Sequence, residues 1–257
     1  MGTTKRLRLD MLVVERDLAK TRSRAQALIL AGRVLVNNAI ETKTGLQVSS
    51  DVDISVSERD HPFVGRGALK LKHAFDEFDI DVRDRLALDI GASTGGFTDV
   101  MLHHHAHHVV AVDVGRGQLD WRLRKDDRVT VMESTNARYL KPDDFPANRR
   151  AFSCVTIDVS FISLKLILPV LPPLLSLNND IAALVKPQFE AGRSEVGKGG
   201  IVRDEKIHSR VVKEVIAKAD TLGLSHVSTT ASPILGAEGN REFFVHLQQT
   251  NRTNSNV

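Results

Sequence analysis

The stretch from Leu86 to Thr98, LALDIGASTGGFT, constrains the fold more than any other part of the chain. Leu86, Ala87, Leu88, Asp89 and Ile90 have the length and apolar character of a buried strand. Gly91, Ala92, Ser93, Thr94, Gly95 and Gly96 then make a glycine-rich turn that opens a helix. Glycine at such a turn supplies left-handed backbone and lets the main chain approach a ligand closely. The free amides at the start of the helix face whatever sits there. The spacing is G-x-x-x-G-G behind an acid, Asp89, and not G-x-G-x-x-G, which disfavours a dinucleotide-dependent dehydrogenase.

Strands and helices alternate from this point. His108 to Val114 is an apolar strand ending in Asp113; Val129 to Met132 follows, then Cys154 to Val159 ending at Asp158, and Ile181 to Val185 running into Lys186-Pro187. Phe161 to Leu177 reads as a loop and a core helix, and Lys206 to Leu222 as an amphipathic helix. His226 to Ala231 and Phe243 to Leu247 are late strands, expected as an antiparallel pair at the sheet edge. The alternation predicts an α/β domain with a doubly wound, mostly parallel sheet. Ligands in such sheets sit beyond the carboxyl ends of the strands, where Asp113, Asn136, Asp158 and Lys186 fall. Asp113 suits the two hydroxyls of a ribose and Asn136 an adenine edge. Each also has an ordinary alternative: Asp113 and Asp158 as helix caps, Asn136 as a turn former, Lys186 as a solvated strand end.

The first 45 residues carry most of the charge asymmetry. Lys5, Arg6, Arg8, Arg16, Lys20, Arg22, Arg24, Arg33 and Lys43 face Asp10, Glu15, Asp17 and Glu41, so this segment is strongly basic while the chain as a whole is only +3. Leu7 to Leu18 has helical spacing; Thr21 to Leu30 is a second helix, with a capping box beginning at Ser23 and a stop at Gly32. Arg33 to Asn38 and Lys43 to Val56 read as a hairpin and short return strands. A small basic module of this kind suits a polyanion. Residues 57 to 65 have turn chemistry, with Pro62 disfavouring helix before it, and Phe63 is expected to pack on one flank or the other. Arg66 to Phe75 then starts a helix with Leu71 and Phe75 on one face. The divisions expected are a small α+β domain over 1–58, a linker over 59–65, the α/β domain over 66–250 and a disordered tail over 251–257, with the polar sequence beginning at Gln249.

Other features narrow the function classes. Cys154 is the only cysteine and sits in an apolar strand, so it reads as a buried small hydrophobe in a reduced compartment. The N-terminus shows no apolar core of a signal peptide, and the most apolar run is broken by Lys165, Pro169, Pro172 and Pro173, too broken to span a bilayer. A cytoplasmic protein without a membrane partner is expected. His103, His104, His105, His107 and His108 invite a metal, but neighbouring histidines at a helix end cannot all face one ion and no acid or cysteine cluster accompanies them. No metal is expected. Gly192 to Gly200 reads either as a mobile loop over a substrate or as a plain connector.

Two resemblances sharpen this reading. TRSRAQALILAGRVLVNN within residues 6 to 56 resembles the RNA-binding module named after small-subunit ribosomal protein S-four. That resemblance implies phosphate contacts by Arg6, Arg8, Lys20, Arg22, Arg24 and Arg33. The glycine turn looks like the first motif of S-adenosylmethionine (SAM) methyltransferases. RGALKL around Lys70, DIGASTGGFT, AVDVGRGQL, TNAR, DVSFISL, LVKPQFE and ASPILGAEGNREFF together resemble the TlyA (haemolysin A) family over nearly all of residues 6 to 248, with a methyltransferase domain similar to the FtsJ type. The resemblance implies a Rossmann-like class I fold with a seven-stranded sheet and SAM as cofactor. It implies a catalytic set at Lys70, Asp158, Lys186 and Glu242, and cofactor contacts from Asp89, Gly91, Ala92, Ser93, Thr94, Gly95, Gly96, Asp113, Asn136 and Asp158. It further implies 2′-O-methylation of cytidine in ribosomal RNA by a monomer acting on ribosomal subunits; the basic stretch before Leu9 and the chain beyond the last strand match the subgroup that modifies both. His61-Pro62-Phe63 departs from the family, which often has tryptophan there. Spacing alone does not choose between Lys70 and Lys72. A lysine serves as base only if its pKa is lowered, and Lys70 beside Lys186 would do that by repulsion, with Asp158 and Glu242 orienting the two ammonium groups. A cytolysin and a non-catalytic ribosome-assembly protein are the alternative functions.

Overall fold

The computed structural model describes residues 6–57, 61–236 and 239–249. The first unit opens with β1 (Arg6–Arg8), α1 (Leu9–Glu15) and α2 (Arg22–Leu30), followed by β2 (Val34–Val36), β3 (Ala39–Glu41), β4 (Gln47–Ser49) and β5 (Ile54–Val56). α1 is shorter than the periodicity from Leu7 predicts, because Arg6–Arg8 extends to pair with β4, Leu7 opposite Val48. α2 is capped by Thr21, whose hydroxyl accepts the Arg24 amide at 3.2 Å; the capping box expected at Ser23 does not form. Gly32, at φ +66°, ends α2, and Asn37 and Asn38 both adopt positive φ to close the β2–β3 hairpin. Leu9, Leu12, Val13, Ala25, Leu28, Ile29 and Val34 form a private core under these elements.

The second unit runs through α3 (Gly67–Phe78), β6 (Leu86–Ile90), α4 (Gly96–His103), β7 (His108–Val112), α5 (Trp121–Arg124), β8 (Val129–Met132), β9 (Phe152–Ile157), β10 (Leu175–Val185), α6 (Pro187–Glu190), α7 (Glu205–Asp220), β11 (Leu224–Ala231) and β12 (Phe243–Gln249). Seven strands form one sheet in the order β11-β12-β10-β9-β6-β7-β8, parallel from β10 to β8. β6, β7 and β9 are apolar on both faces because helices cover both. The strand order reverses between β6 and β9, which opens a crevice at their carboxyl ends.

β11 and β12 form the expected antiparallel pair at the sheet edge, with β11 outermost and β12 between it and β10, antiparallel to both. Phe244, Val245 and Leu247 are fully buried, whereas β11 is mostly exposed and polar, the composition an edge tolerates. The helix expected between Phe161 and Leu177 is a series of 3-10 turns at Leu164–Leu166, Leu168–Val170 and Pro172–Leu174. Pro169, Pro172 and Pro173 lack the amides a continuous helix needs, and Ser163, not Asp158, caps the first turn. Gln249 belongs to β12 rather than to a tail, and 250–257 lie outside the described residues, as does 58–60 of the expected linker. Phe63 packs into the second unit, edge-on to His103 at 5.1 Å. Cys154 is fully buried in β9, which pushes its thiol up to about 12.

Candidate active site

The glycine turn is built around two close approaches. Gly91 has φ +87°, and a Cβ there would lie 2.4 Å from the carbonyl oxygen of Asp158 at the end of β9. Gly95 has φ +95°, and its Cβ would lie 2.2 Å from Leu123. Ser93 also takes positive φ. Gly95 occupies the cap position of α4 and has no side chain to satisfy the first amides of that helix. The turn's own amides at Gly91, Ala92, Ser93 and Gly95 are taken up within the chain, so the uncapped start of α4 supplies the main-chain donors at the crevice.

Asp89 does not reach that crevice. Its carboxylate is fully buried and accepts the hydroxyls of Thr98 at 2.7 Å and Thr156 at 3.0 Å, tying the first turn of α4 to β6 and β9. This corrects its expected cofactor contact. Burial raises its pKa to about 7, against the opposing effect of the two threonines. Asp113, just past β7, does lie at the turn: its carboxylate accepts the Ser93 amide at 2.8 Å and the Gly115 amide at 2.6 Å. Asn136 takes the turn-former part, its side chain accepting the Arg138 amide at 3.1 Å and itself exposed.

Two lysines and two carboxylates meet beside the turn. Lys186 follows β10 and lies 2.5 Å from Asp158; its ammonium also donates to Ser160 at 2.9 Å. Lys70, from the first turn of α3, donates to Glu242 at 2.6 Å, and Glu242 is buried. Lys72, two residues on, turns outward to Asp76. The pairs feel one another. Burial raises the Asp158 carboxyl, but the charges of Lys186 and Lys70 outweigh it and leave its pKa lowered. Burial lowers Lys186, but Asp158 and Glu242 outweigh it and leave its pKa raised. The repulsion expected from Lys70 does not prevail, because each lysine has its own carboxylate.

Several supports escaped sequence reasoning. Ser160 lies in the DVSFISL run but has no signal of its own. Glu133 accepts the amides of Gly117 at 2.8 Å and Gln118 at 3.2 Å, fixing the loop after β7. Glu190 accepts the Ser163 hydroxyl and the Leu164 amide, and burial raises its pKa. Asp99 accepts the Val64 amide at 2.7 Å. Glu133, Glu190 and Asp99 are lone acids in the sequence, distinguishable from surface acids only once the chain is folded.

The basic residues of the first unit divide. Arg8 and Arg22 both pair with Asp10 at 3.0 Å while staying largely exposed. Asp10 itself is buried; burial raises its pKa, but Arg8, Gln26 and Arg22 outweigh that and hold it well below the usual range. Arg6 donates to the Gln47 carbonyl, and Lys20 is exposed. Arg24 lies 4.0 Å from Asp120 of the second unit. Arg33 is half-buried, its guanidinium donating to the Ser57 carbonyl at 3.0 and 3.3 Å. The histidines diverge: His103 lies on Asp99, His104 against Phe75 and His108 on Thr130. Among the described residues no group of three or more His, Cys, Asp or Glu is placed to hold a metal ion.

Comparison with known proteins agrees with this division. The family model for S4 domains matches residues 7–54, and that for FtsJ-like methyltransferases matches residues 63–249. The chain is 45% identical over 250 residues to the 16S/23S rRNA (cytidine-2′-O)-methyltransferase TlyA of Mycobacterium tuberculosis, covering 96% of this chain and 92% of the relative. It is 41% identical to Hemolysin A of Brachyspira hyodysenteriae, covering 93% and 99%. A solved hemolysin-type structure from Streptococcus thermophilus superposes with a TM-score of 0.75 at 44% identity, over 97% of this chain and 90% of that one.

Proposed function

The chain belongs to the TlyA (haemolysin A) family of rRNA methyltransferases, an S4 domain followed by an FtsJ-like methyltransferase domain, and from that premise we propose that it methylates the 2′-hydroxyl of a cytidine in ribosomal RNA, with Lys186 as base. The observation that carries the reading is the pair of lysine–carboxylate contacts at the switch point of the sheet, electrostatically joined and next to the glycine turn.

The turn fits SAM. The glycines of the turn let the main chain approach its amino-acid end, the uncapped start of α4 faces it, Asp113 retains lone pairs for ribose hydroxyls, and Asn136 is exposed for the adenine edge. The cofactor supplies an electrophilic methyl group on a sulfonium. The residues of the chain do the rest. A ribose hydroxyl is a weak nucleophile until it sheds its proton. Lys186 takes that proton in its neutral form, so its ammonium must first release one. Asp158 aims the Lys186 amine and compensates its charge afterwards. Lys70, paired with Glu242, donates to the hydroxyl oxygen and fixes its direction. Holding the oxygen in line supplies much of the acceleration by removing its freedom beforehand. The S4 domain adds phosphate contacts through Arg6, Arg8, Lys20, Arg22, Arg24 and Arg33, and a nucleotide in a helix is flipped out to reach the crevice, at a cost of a few kcal/mol. No described helix is long and apolar enough to cross a membrane.

The test is transfer of labelled methyl groups to purified small and large ribosomal subunits, with the modified nucleotide mapped. Label at a cytidine 2′-oxygen is expected with the wild type. Lys186→Ala should abolish transfer while binding of S-adenosylhomocysteine stays within a few-fold. Normal turnover by that variant overturns the assignment.

A further inference from the structure

A second cavity lies away from the lysine–carboxylate cluster, between the two domains. It holds about 210 Å³ and is bounded on one side by α2 and on the other by the loop from Gly117 to Trp121. That volume is below the roughly 300 to 1,000 Å³ of sites that enclose whole cofactors or drug-sized ligands; it suits a single base or phosphate.

Its walls are specific. Arg24 and Arg33 face the cavity from the S4 domain, and Trp121 and Asp120 from the methyltransferase domain. Asp120 is the only acid among the residues lining it, and it stands 4.0 Å from Arg24. The wall is therefore net positive. The two guanidinium groups are near enough to oppose each other: burial, and then the charge of Arg24, lowers the pKa of Arg33. An anion between them removes that penalty. Trp121 is 60% exposed, an unusual display for an indole, and Lys125 lies over its ring at 5.3 Å. A guanidinium pair beside an exposed indole matches a nucleotide: phosphate on the cations, base on the aromatic face.

We propose that this interdomain cleft is a nucleotide subsite, in which a phosphodiester of the RNA substrate lies between Arg24 and Arg33 and the adjoining base lies on Trp121. The inference rests on the RNA-methyltransferase reading. It adds that one strand of the substrate crosses from the S4 domain to the methyltransferase domain over this cleft. The cleft also adjoins the glycine turn, because Thr94 is part of its lining and the Thr94 carbonyl accepts the Asp120 amide at 3.1 Å.

Trp121 is the only tryptophan in the chain, so its emission reports on this place alone. Full-length protein is titrated with a labelled RNA hairpin, with cytidine 5′-monophosphate and with inorganic phosphate, reading hairpin anisotropy and tryptophan emission together. The hairpin is expected to quench Trp121, with little change from the other two ligands. Arg24→Gln, on an exposed helix face, should weaken the quench and reduce the slope of log affinity against log salt by about 1. Trp121→Ala should weaken hairpin binding about tenfold and raise the KM for subunits, and Trp121→Phe should restore both. A hairpin that binds with Trp121 silent, or a Trp121→Ala enzyme with unchanged affinity and KM, overturns the cleft and leaves the methyltransferase reading standing. Equal, Arg24-dependent quenching by the free monophosphate reassigns the cleft to a small nucleotide and overturns it as an RNA subsite. Absence of methyl transfer by the wild type overturns the underlying reading as well.

Discussion

At the scale of single residues, the proposal of Lys186 as base makes its electrostatics the source of the expected pH dependence. Asp158 and Glu242 hold it as an ammonium against the pull of burial. Only its neutral form accepts a proton, so below its pKa the rate should rise about tenfold per pH unit, toward alkaline conditions. Asp158→Asn removes the nearer of the two opposing charges and leaves burial dominant. The rising limb of the rate profile should then move to lower pH, with a lower plateau; a limb that stays in place would refute Lys186 as the base. Asp89 makes the opposite kind of prediction. Its native pKa of about 7 lies far above that of an unfolded aspartate, near 4. The native state therefore favours the protonated acid. That contribution is complete below about pH 4, is lost as pH rises to about 7, and is absent above it. Asp89→Asn keeps an oxygen for Thr98 and Thr156 and removes the ionisation. Its urea midpoint should lose the decline that the wild type shows between pH 4 and 7, a difference on the order of a few kcal/mol.

At the scale of elements, the turn between β6 and α4 is set by contact with β9. Gly91→Ala combines positive φ with a Cβ 2.4 Å from a backbone carbonyl that cannot swing aside. It should cost on the order of 2 kcal/mol or more, and SAM binding measured by calorimetry should fall with it. Much of this element was readable beforehand. An apolar strand, a glycine turn and a polar residue at a strand end are local patterns, so Gly91 to Gly96, Asp113, Asp158 and Lys186 are candidates on spacing alone. Pairing was not readable. Asp89 follows the same pattern as Asp113, yet its position one residue inside the strand buries it against Thr156. Prolines 169, 172 and 173 were visible, but the tendency of apolar residues between them to suggest a helix prevailed. Lys70 and Glu242 depended on family resemblance, because 172 residues separate them and no local period links them.

At the scale of the whole molecule, the two domains are joined by more than a tether. The Val64 amide is held by Asp99 of α4, Phe63 is buried beside it, and a Cβ on Gly65 would lie 3.2 Å from Thr94 and 3.8 Å from Ala31. Asp99→Ala leaves a buried amide without its acceptor, a loss of about 1 to 3 kcal/mol. Hydrogen exchange at Val64 should accelerate by roughly tenfold or more, and an unchanged rate would show that the segment is held by packing instead. The charge asymmetry of the first 45 residues points to a separate basic module, but the contacts that seat it on the second domain, Arg24 beside Asp120 and Gly32 against Arg66, come from single residues that no pattern singles out.

The position of β12 bears on biosynthesis. It is the last described strand, yet it is inserted between β10 and β11, and Glu242 immediately precedes it. A nascent chain that has released residues 6 to 231 already contains every residue of the S4 core, while Lys70 still lacks its carboxylate and β10 still has an open flank. The polyanion-binding part is thus completed before the reaction centre, and a polypeptide that stalls upstream of Phe243 retains the first without acquiring the second.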